Sequence, residues 1–176
     1  EIGVTCGKRY QADEEFRKNR IILSAGSKIS FITAECTPIG YGKGDSGEYN
    51  VQKESDFATV IAIKREVLEK VGTFDPVYGN YYEDSDLSIR VRQASYKIVY
   101  VPEAKSWHIG ASSFGKDSYR RYYLLRRNQI RFIVKIFPLK FMILGLIHCF
   151  FVKTLIDTLF IAPPFKWVMR IFTPSN

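Results

Sequence analysis

The chain has 176 residues, 46% of them hydrophobic and 25% charged, with a formal net charge of +8. That length and apolar content exclude a disordered polymer and suit one domain with a real core. Three widely spaced cysteines (Cys6, Cys36, Cys149) form neither a zinc spacing nor a disulfide framework, so a reducing cytoplasm is the simplest setting. Nothing in the first thirty residues has the pattern of a signal peptide, and a chain that starts at Glu1 is expected to be a piece of a longer protein or a trimmed form.

In chain order, residues 1–20 are polar and lack apolar periodicity, which predicts a loop with at most a short helix. Residues 29–33 (I-S-F-I-T) predict a strand. Residues 37–50 hold four glycines and a proline and predict an exposed loop. Residues 57–63 (F-A-T-V-I-A-I) read as a buried strand. A short helix over 64–71 follows, stopped by Gly72. Residues 74–79 turn around Pro76. Over 83–94, Leu87, Val91 and Ala94 fall on one helical face, which puts Glu83, Asp84 and Asp86 at the helix N-terminus. That end favours negative charge and is the usual mouth of a site on an α/β sheet. Residues 97–101 (K-I-V-Y-V) predict a strand ended by Pro102, with Trp107-His108 just beyond. A long helix is expected over 117–137, before Pro138.

Residues 141–162 differ in kind: 22 residues, nearly all apolar, interrupted by His148, Lys153 and Asp157. A spanning helix needs about 20 apolar residues, and a Lys or Asp at mid-bilayer costs about 2.5–3.5 kcal/mol. Lys153, Thr154, Asp157 and Thr158 share one helical side, which fits a helix lying in the interface or packed on a partner better than a clean span. Just upstream, Arg120, Arg121, Arg126, Arg127, Arg131 and Lys135 suit an anionic partner such as lipid headgroups, nucleic acid or a diphosphate. The stripe Tyr119, Tyr123, Arg127, Arg131, Lys135 at steps of four also suits nucleic acid or a plain solvated face. The apolar tail favours the membrane, and no nucleic-acid partner is expected.

The residue types around Asp84 leave alternatives open. Asp84 is either a general base or a helix N-cap. Asp86 supports it, pairs with Arg90 at the i,i+4 spacing, or is solvated. Glu83 orients an acceptor hydroxyl or complements the helix dipole. His108 is a metal ligand or a structural residue, and as a ligand it needs carboxylates from elsewhere. Trp107 lines a sugar site or is buried in the core. His148 is read as packing.

Residues 72–108 (G-T-F-D-P-V-Y-G-N-Y-Y-E-D-S-D-L-S-I-R-V-R-Q-A-S-Y-K-I-V-Y-V-P-E-A-K-S-W-H) resemble the C-terminal half of family 2 glycosyltransferases, especially the bacterial rhamnosyltransferase-like group. S-A-G-S-K-I-S-F at 24–31, I-K-R-E-V at 63–67 and Y-Y-L-L-R-R-N at 122–128 are similar as well, so the resemblance covers roughly residues 20–137. It implies an α/β fold, the C-terminal portion of a GT-A nucleotide-diphospho-sugar transferase with a mixed sheet flanked by helices. That part would occupy residues 1–137, followed by an apolar, membrane-associated helical tail over 138–176. The implied activity is inverting transfer of a sugar from a nucleotide-diphosphate donor to a glycan or lipid-linked acceptor hydroxyl, at the cytoplasmic membrane face.

By the same resemblance, Asp84 matches the catalytic base, and Glu83 and Asp86 match acids on the acceptor side; Trp107, from its own residue type, is expected as a further acceptor contact. His108 matches a histidine that helps bind Mg2+ or Mn2+ in some members. Arg127 and Arg131 are the expected anionic-partner contacts. The family's D-x-D-bearing nucleotide half precedes this region and is expected outside this chain, in a longer form of the protein or in a separate partner. The competing expectation is a non-catalytic remnant or docking module that pairs with such a chain. Two departures stand out: no Thr-Gly turn precedes I-K-R, and Ser95 stands where a glycine is usual.

Overall fold

The computed structural model describes residues 1–13, 18–109, 118–153 and 155. The chain divides into two compact units, residues 1–30 with 35–112, and residues 31–34 with 113–176. The first unit contains β1 (Ile2–Ala12), β2 (Lys18–Ser24), β3 (Ser27–Ile29), β4 (Cys36–Pro38), β5 (Lys53–Glu54), β6 (Ile61–Ile63), α1 (Arg65–Val71), α2 (Glu83–Gln93) and β7 (Lys97–His108). Its main sheet is mixed. Strand β1 runs parallel to β7 and antiparallel to both β2 and β6, and β5 closes the far edge of β7. Strands β3 and β4 form a separate ribbon. A mixed sheet with helices is consistent with a nucleotide-sugar-transferase-like fold.

The expected N-terminal loop is instead the central strand. Val4, Cys6, Lys8, Tyr10 and Ala12 are all buried, a period of two that the lysine hides in the sequence. Lys8 is 0% exposed because its ammonium donates to Asp45 Oδ2 (2.8 Å) and Asn50 Oδ1 (2.6 Å), while the Tyr10 hydroxyl donates to the same Asp45 oxygen. A buried ammonium is tolerated only when paired and hydrogen-bonded in this way. The loop expected to be exposed over 37–50 therefore supplies a buried anion. It also gives Thr37 and Pro38 to β4 and packs Tyr49 against the core.

Two other strand boundaries differ from expectation. Strand β7 does not stop at Pro102 but continues to His108. Its pairing with β1 jumps from Val101 opposite Gly7 to Lys105 opposite Lys8, so Pro102 sits where no partner asks it for an N–H. Gly7 is required there, since a Cβ would come within 2.4 Å of the Ala104 carbonyl oxygen. Of the apolar run 57–63, only Ile61–Ile63 is strand; Phe57 and Ala58 are buried without pairing. The strand expected over 29–33 likewise ends at Ile29.

The helices follow the sequence closely. Helix α1 ends at Gly72, whose N–H bonds the Leu68 carbonyl. Helix α2 buries Leu87 and Val91 against Val4, Cys6, Ile98 and Tyr100. Its C-terminus closes as a Schellman motif, with Ser95 N–H to the Arg92 carbonyl (2.9 Å) and Tyr96 N–H to the Val91 carbonyl (3.2 Å). Ser95 takes the left-handed conformation (φ 70°) that the motif demands.

The second unit holds α3 (Tyr119–Ile136), α4 (Leu139–Ile147) and a π-helical turn over His148–Lys153. Ser118 caps α3 by accepting from Arg121 N–H, and Pro138 separates α3 from α4. Phe132 and Ile133 are buried, Gly145 lets α4 approach Ile133, and Phe31 packs on Phe137. Gln129 is buried and spends its amide on the Thr33 carbonyl and Arg126. Ile143, Leu144, Ile147, Phe150 and Phe151 stay exposed. Among the described residues no helix is long and apolar enough to cross a membrane. Thr154, Asp157 and Thr158 lie outside the described residues.

Candidate active site

The acids Glu83 and Asp84 open α2, and the backbone that delivers them is strained. Tyr81 (φ 73°) and Tyr82 (φ 71°) are consecutive non-glycine residues in the left-handed region. Such conformations cost of order 1–3 kcal/mol each and concentrate at functional sites. Tyr82 gives the helix no side-chain cap. Asp84 does not act as an N-cap either, since it lies inside the first turn and accepts from its neighbour: Ser85 N–H at 2.7 Å and Ser85 Oγ at 3.2 Å, both to Oδ1. Ser85 Oγ also meets Cys36 Sγ at 3.2 Å.

Asp84 keeps some exposed surface, yet enough protein surrounds its carboxyl that burial raises its pKa. The Ser85 hydrogen bonds and the Arg9 charge work in the opposite direction and only partly offset it. Glu83 is raised too, first by burial and then by Asp84, and its Oε2 is buried without a hydrogen-bond partner among the described residues. The pair thus offers a carboxylate made more basic than usual beside a second carboxyl free to orient a ligand.

The rest of α2 holds these acids in place. Ser88 Oγ donates to the Asp84 carbonyl (2.7 Å) and accepts from Ala58 N–H (3.2 Å). Asp86 turns inward: it is 0% exposed, ion-pairs with Arg90 Nε at 2.8 Å, and accepts from the Tyr78 hydroxyl at 3.3 Å. Arg90 goes on to the carbonyls of Val71 and Thr73, fastening α2 to the end of α1. Of the three readings of Asp86, the i,i+4 ion pair is the one observed. Its carboxylate is used inside the fold.

Strand β7 separates Trp107 from His108, since neighbouring strand residues face opposite sides. Trp107 stacks on Tyr10 (ring centroids 5.5 Å apart) and its indole N–H donates to the Asn19 carbonyl. His108 stands opposite Gln11 and Ser106 opposite Arg9 in the parallel pairing with β1, so these four share the other face. Burial, and then the Arg9 charge, lower the His108 pKa, which keeps the imidazole neutral and able to ligate. Among the described residues no three His, Cys, Asp or Glu side chains gather into a group that could hold a metal ion. His108 therefore does not make a metal site with this chain's described residues.

Arg9 is the residue that sequence reasoning missed. Its charge acts on both Asp84 and His108, which are 24 positions apart in the chain. The only available signal was the alternation of β1, obscured by Lys8. In the second unit, Arg127 and Arg131 line a shallow depression of about 440 Å3 with Ile130, Val134 and Lys135.

No family model matches the chain. Over 57 residues, 32% of its length, it is 40% identical to N-acetylglucosaminyl-diphospho-decaprenol L-rhamnosyltransferase of Mycobacterium tuberculosis (strain CDC 1551 / Oshkosh). The protein of the same name from strain ATCC 25618 / H37Rv matches equally. The likeness is to a glycosyltransferase. The matched stretch spans 19% of the length of each relative.

Proposed function

We propose that this chain is the acceptor-side part of an inverting glycosyltransferase, with Asp84 as its general base. The observation that carries the reading is the Asp84 carboxyl itself. It lies in the first turn of α2, is oriented by Ser85, has a raised pKa, and follows two strained tyrosines. In the proposed reaction an acceptor hydroxyl gives its proton to Asp84 as its oxygen attacks the anomeric carbon of a nucleotide-diphospho-sugar. The bond to the nucleoside diphosphate breaks on the opposite face, which inverts the centre. Glu83 orients the acceptor hydroxyl. The partial rhamnosyltransferase likeness supports a sugar donor and a glycan or lipid-linked acceptor.

The D-x-D-bearing donor half is assigned outside this chain, together with the remaining ligands of any Mg2+ or Mn2+, to which His108 would add one neutral imidazole. The second unit is assigned to the cytoplasmic membrane face. Its exposed Ile143, Leu144, Ile147, Phe150 and Phe151 adjoin the Arg127–Arg131–Lys135 stripe in sequence, a pairing suited to an anionic bilayer.

In the full-length protein Asp84→Asn should reduce transfer by a factor of about 10²–10⁴, the usual contribution of a positioned base, with folding intact by circular dichroism. Turnover near that of the wild type would remove Asp84 from the base role.

A further inference from the structure

We propose that the tip of the β3–β4 hairpin, Phe31 and Ile32, inserts into an anionic lipid surface together with α4. The choice of lipid rests on the membrane reading above; the tip itself rests on the packing of residues 31–34. The sequence predicts a strand over 29–33, but β3 ends at Ile29 and β4 starts at Cys36. The chain leaves the first unit after Ser30, spends four residues in the second, and returns at Glu35.

Those four residues are held in one shape. The Ser30 N–H donates to the Glu35 carbonyl (3.0 Å) and closes the base of the loop. The Thr33 carbonyl accepts from the buried Gln129 amide (3.1 Å). Ala34 is buried and left-handed, at φ 56°. The Phe31 ring centroid lies 5.2 Å from that of Phe137 and 6.5 Å from that of Phe141. A tip fixed in this way still shows apolar surface: Phe31 is 38% exposed and Ile32 58%. A single exposed aliphatic residue is ordinary. These two differ because Phe31 touches α4 at Phe141, and Leu139, Ile143, Leu144 and Ile147 of α4 are exposed as well.

Charge selects what covers them. Residues 31–34 and 118–153 carry eight arginines and lysines and no aspartate or glutamate. Lys140 places its ammonium 4.7 Å from the centre of the Phe141 ring, so a cation borders the aromatic neighbour of Phe31. Exposed apolar side chains accompanied by cations and no acid match an anionic bilayer, whose hydrocarbon takes the first and whose phosphates take the second. A second copy of this chain would bring an equally basic face against this one, and a nucleic acid offers no hydrocarbon to Ile32 and the α4 aliphatics. The stem of the same hairpin carries Cys36, whose thiol meets Ser85 Oγ at 3.2 Å, and Ser85 engages Asp84. One ribbon therefore serves both the lipid contact and the carboxyl, which suits an acceptor hydroxyl presented on a lipid.

The test is co-sedimentation of this chain with vesicles of equal parts phosphatidylcholine and phosphatidylglycerol. Wild-type protein should bind. Ile32→Glu should cut the partition coefficient roughly tenfold, through one lost apolar insertion and one charge of the wrong sign. Val51→Glu makes the same change at an exposed apolar residue of the first unit and should leave binding within about twofold of wild type. Both positions are exposed, so both variants should keep the wild-type circular dichroism. In Ile32→Trp, the emission added to that of Trp107 and Trp167 should move to shorter wavelength on the vesicles and be quenched by brominated acyl chains.

Wild-type binding by Ile32→Glu, an equal loss in Val51→Glu, or added emission that bromine does not quench overturns the tip contact. So does a lipid-free dimer that analytical ultracentrifugation finds in wild type and not in Ile32→Glu, since it gives the tip to a second copy. The outcomes stay distinct from the membrane reading. Vesicle binding indifferent to Ile32 removes the tip and leaves α4 and the basic helix as the membrane contact, whereas a wild-type protein that binds no vesicle removes that reading and the tip contact with it.

Discussion

Asp84 lowers the stability of the fold it sits in. Its native pKa lies above the ordinary 3.8 because burial disfavours the charged form. The folded protein then holds that proton more tightly than the unfolded chain does. Ionisation therefore costs stability at every pH above the native value, and the cost fades as pH falls towards 3.8. Asp84→Asn removes it. The variant should melt at a higher temperature than wild type at neutral pH, with the gap closing on acidification. A lower melting point at neutral pH would mean that the carboxylate is stabilised in place, contrary to the direction of its shift. Stability lost to keep a reactive group is common at catalytic positions. The adjacent left-handed Tyr81 and Tyr82 point the same way.

Helix α2 shows how an element converts local rules into a fixed site. The i,i+4 pair of Asp86 with Arg90, extended to the carbonyls of Val71 and Thr73, fastens its middle, and Ser88 ties its first turn to Ala58. Its C-terminus is less well made. The Schellman motif places Ser95 at φ 70°, where a side chain costs about 1–2 kcal/mol relative to glycine. Ser95→Gly should therefore raise stability by about 1 kcal/mol, read as a higher urea midpoint with unchanged slope. A neutral or negative change would show that the Ser95 side chain repays its strain through contacts of its own.

For the molecule as a whole, the second unit carries the interaction prediction. An apolar set from Ile143 to Phe151, beside a basic helix, should bring the protein to vesicles containing anionic lipid, with binding that falls as salt is raised. Arg127→Ser with Arg131→Ser should weaken sedimentation with such vesicles while leaving the fold unchanged. Equal binding to neutral vesicles, or salt-independent binding, would remove the basic stripe from the interaction, and failure to bind either kind of vesicle would overturn the membrane assignment.

The amino-acid sequence by itself determined the helices and the position of the acids. The spacing of Leu87 and Val91, the stop at Gly72 and the break at Pro138 are local signals, written within one or two turns of the residues they govern. It also placed Glu83 and Asp84 at a helix start, because a charge cluster before a periodic apolar run is local information. Only the tertiary structure decided the rest. Strand β1 depends on Asp45 and Asn50, 37 and 42 residues beyond Lys8, and without them its buried lysine reads as a loop residue. The i,i+4 spacing offered Asp86 to Arg90 as one of three readings; packing chose it, burying Asp86, and left Asp84 partly exposed. Arg9 joins Asp84 and His108 only because strands far apart in the chain become neighbours in a sheet, and that pairing is set by long-range burial, which no local pattern encodes.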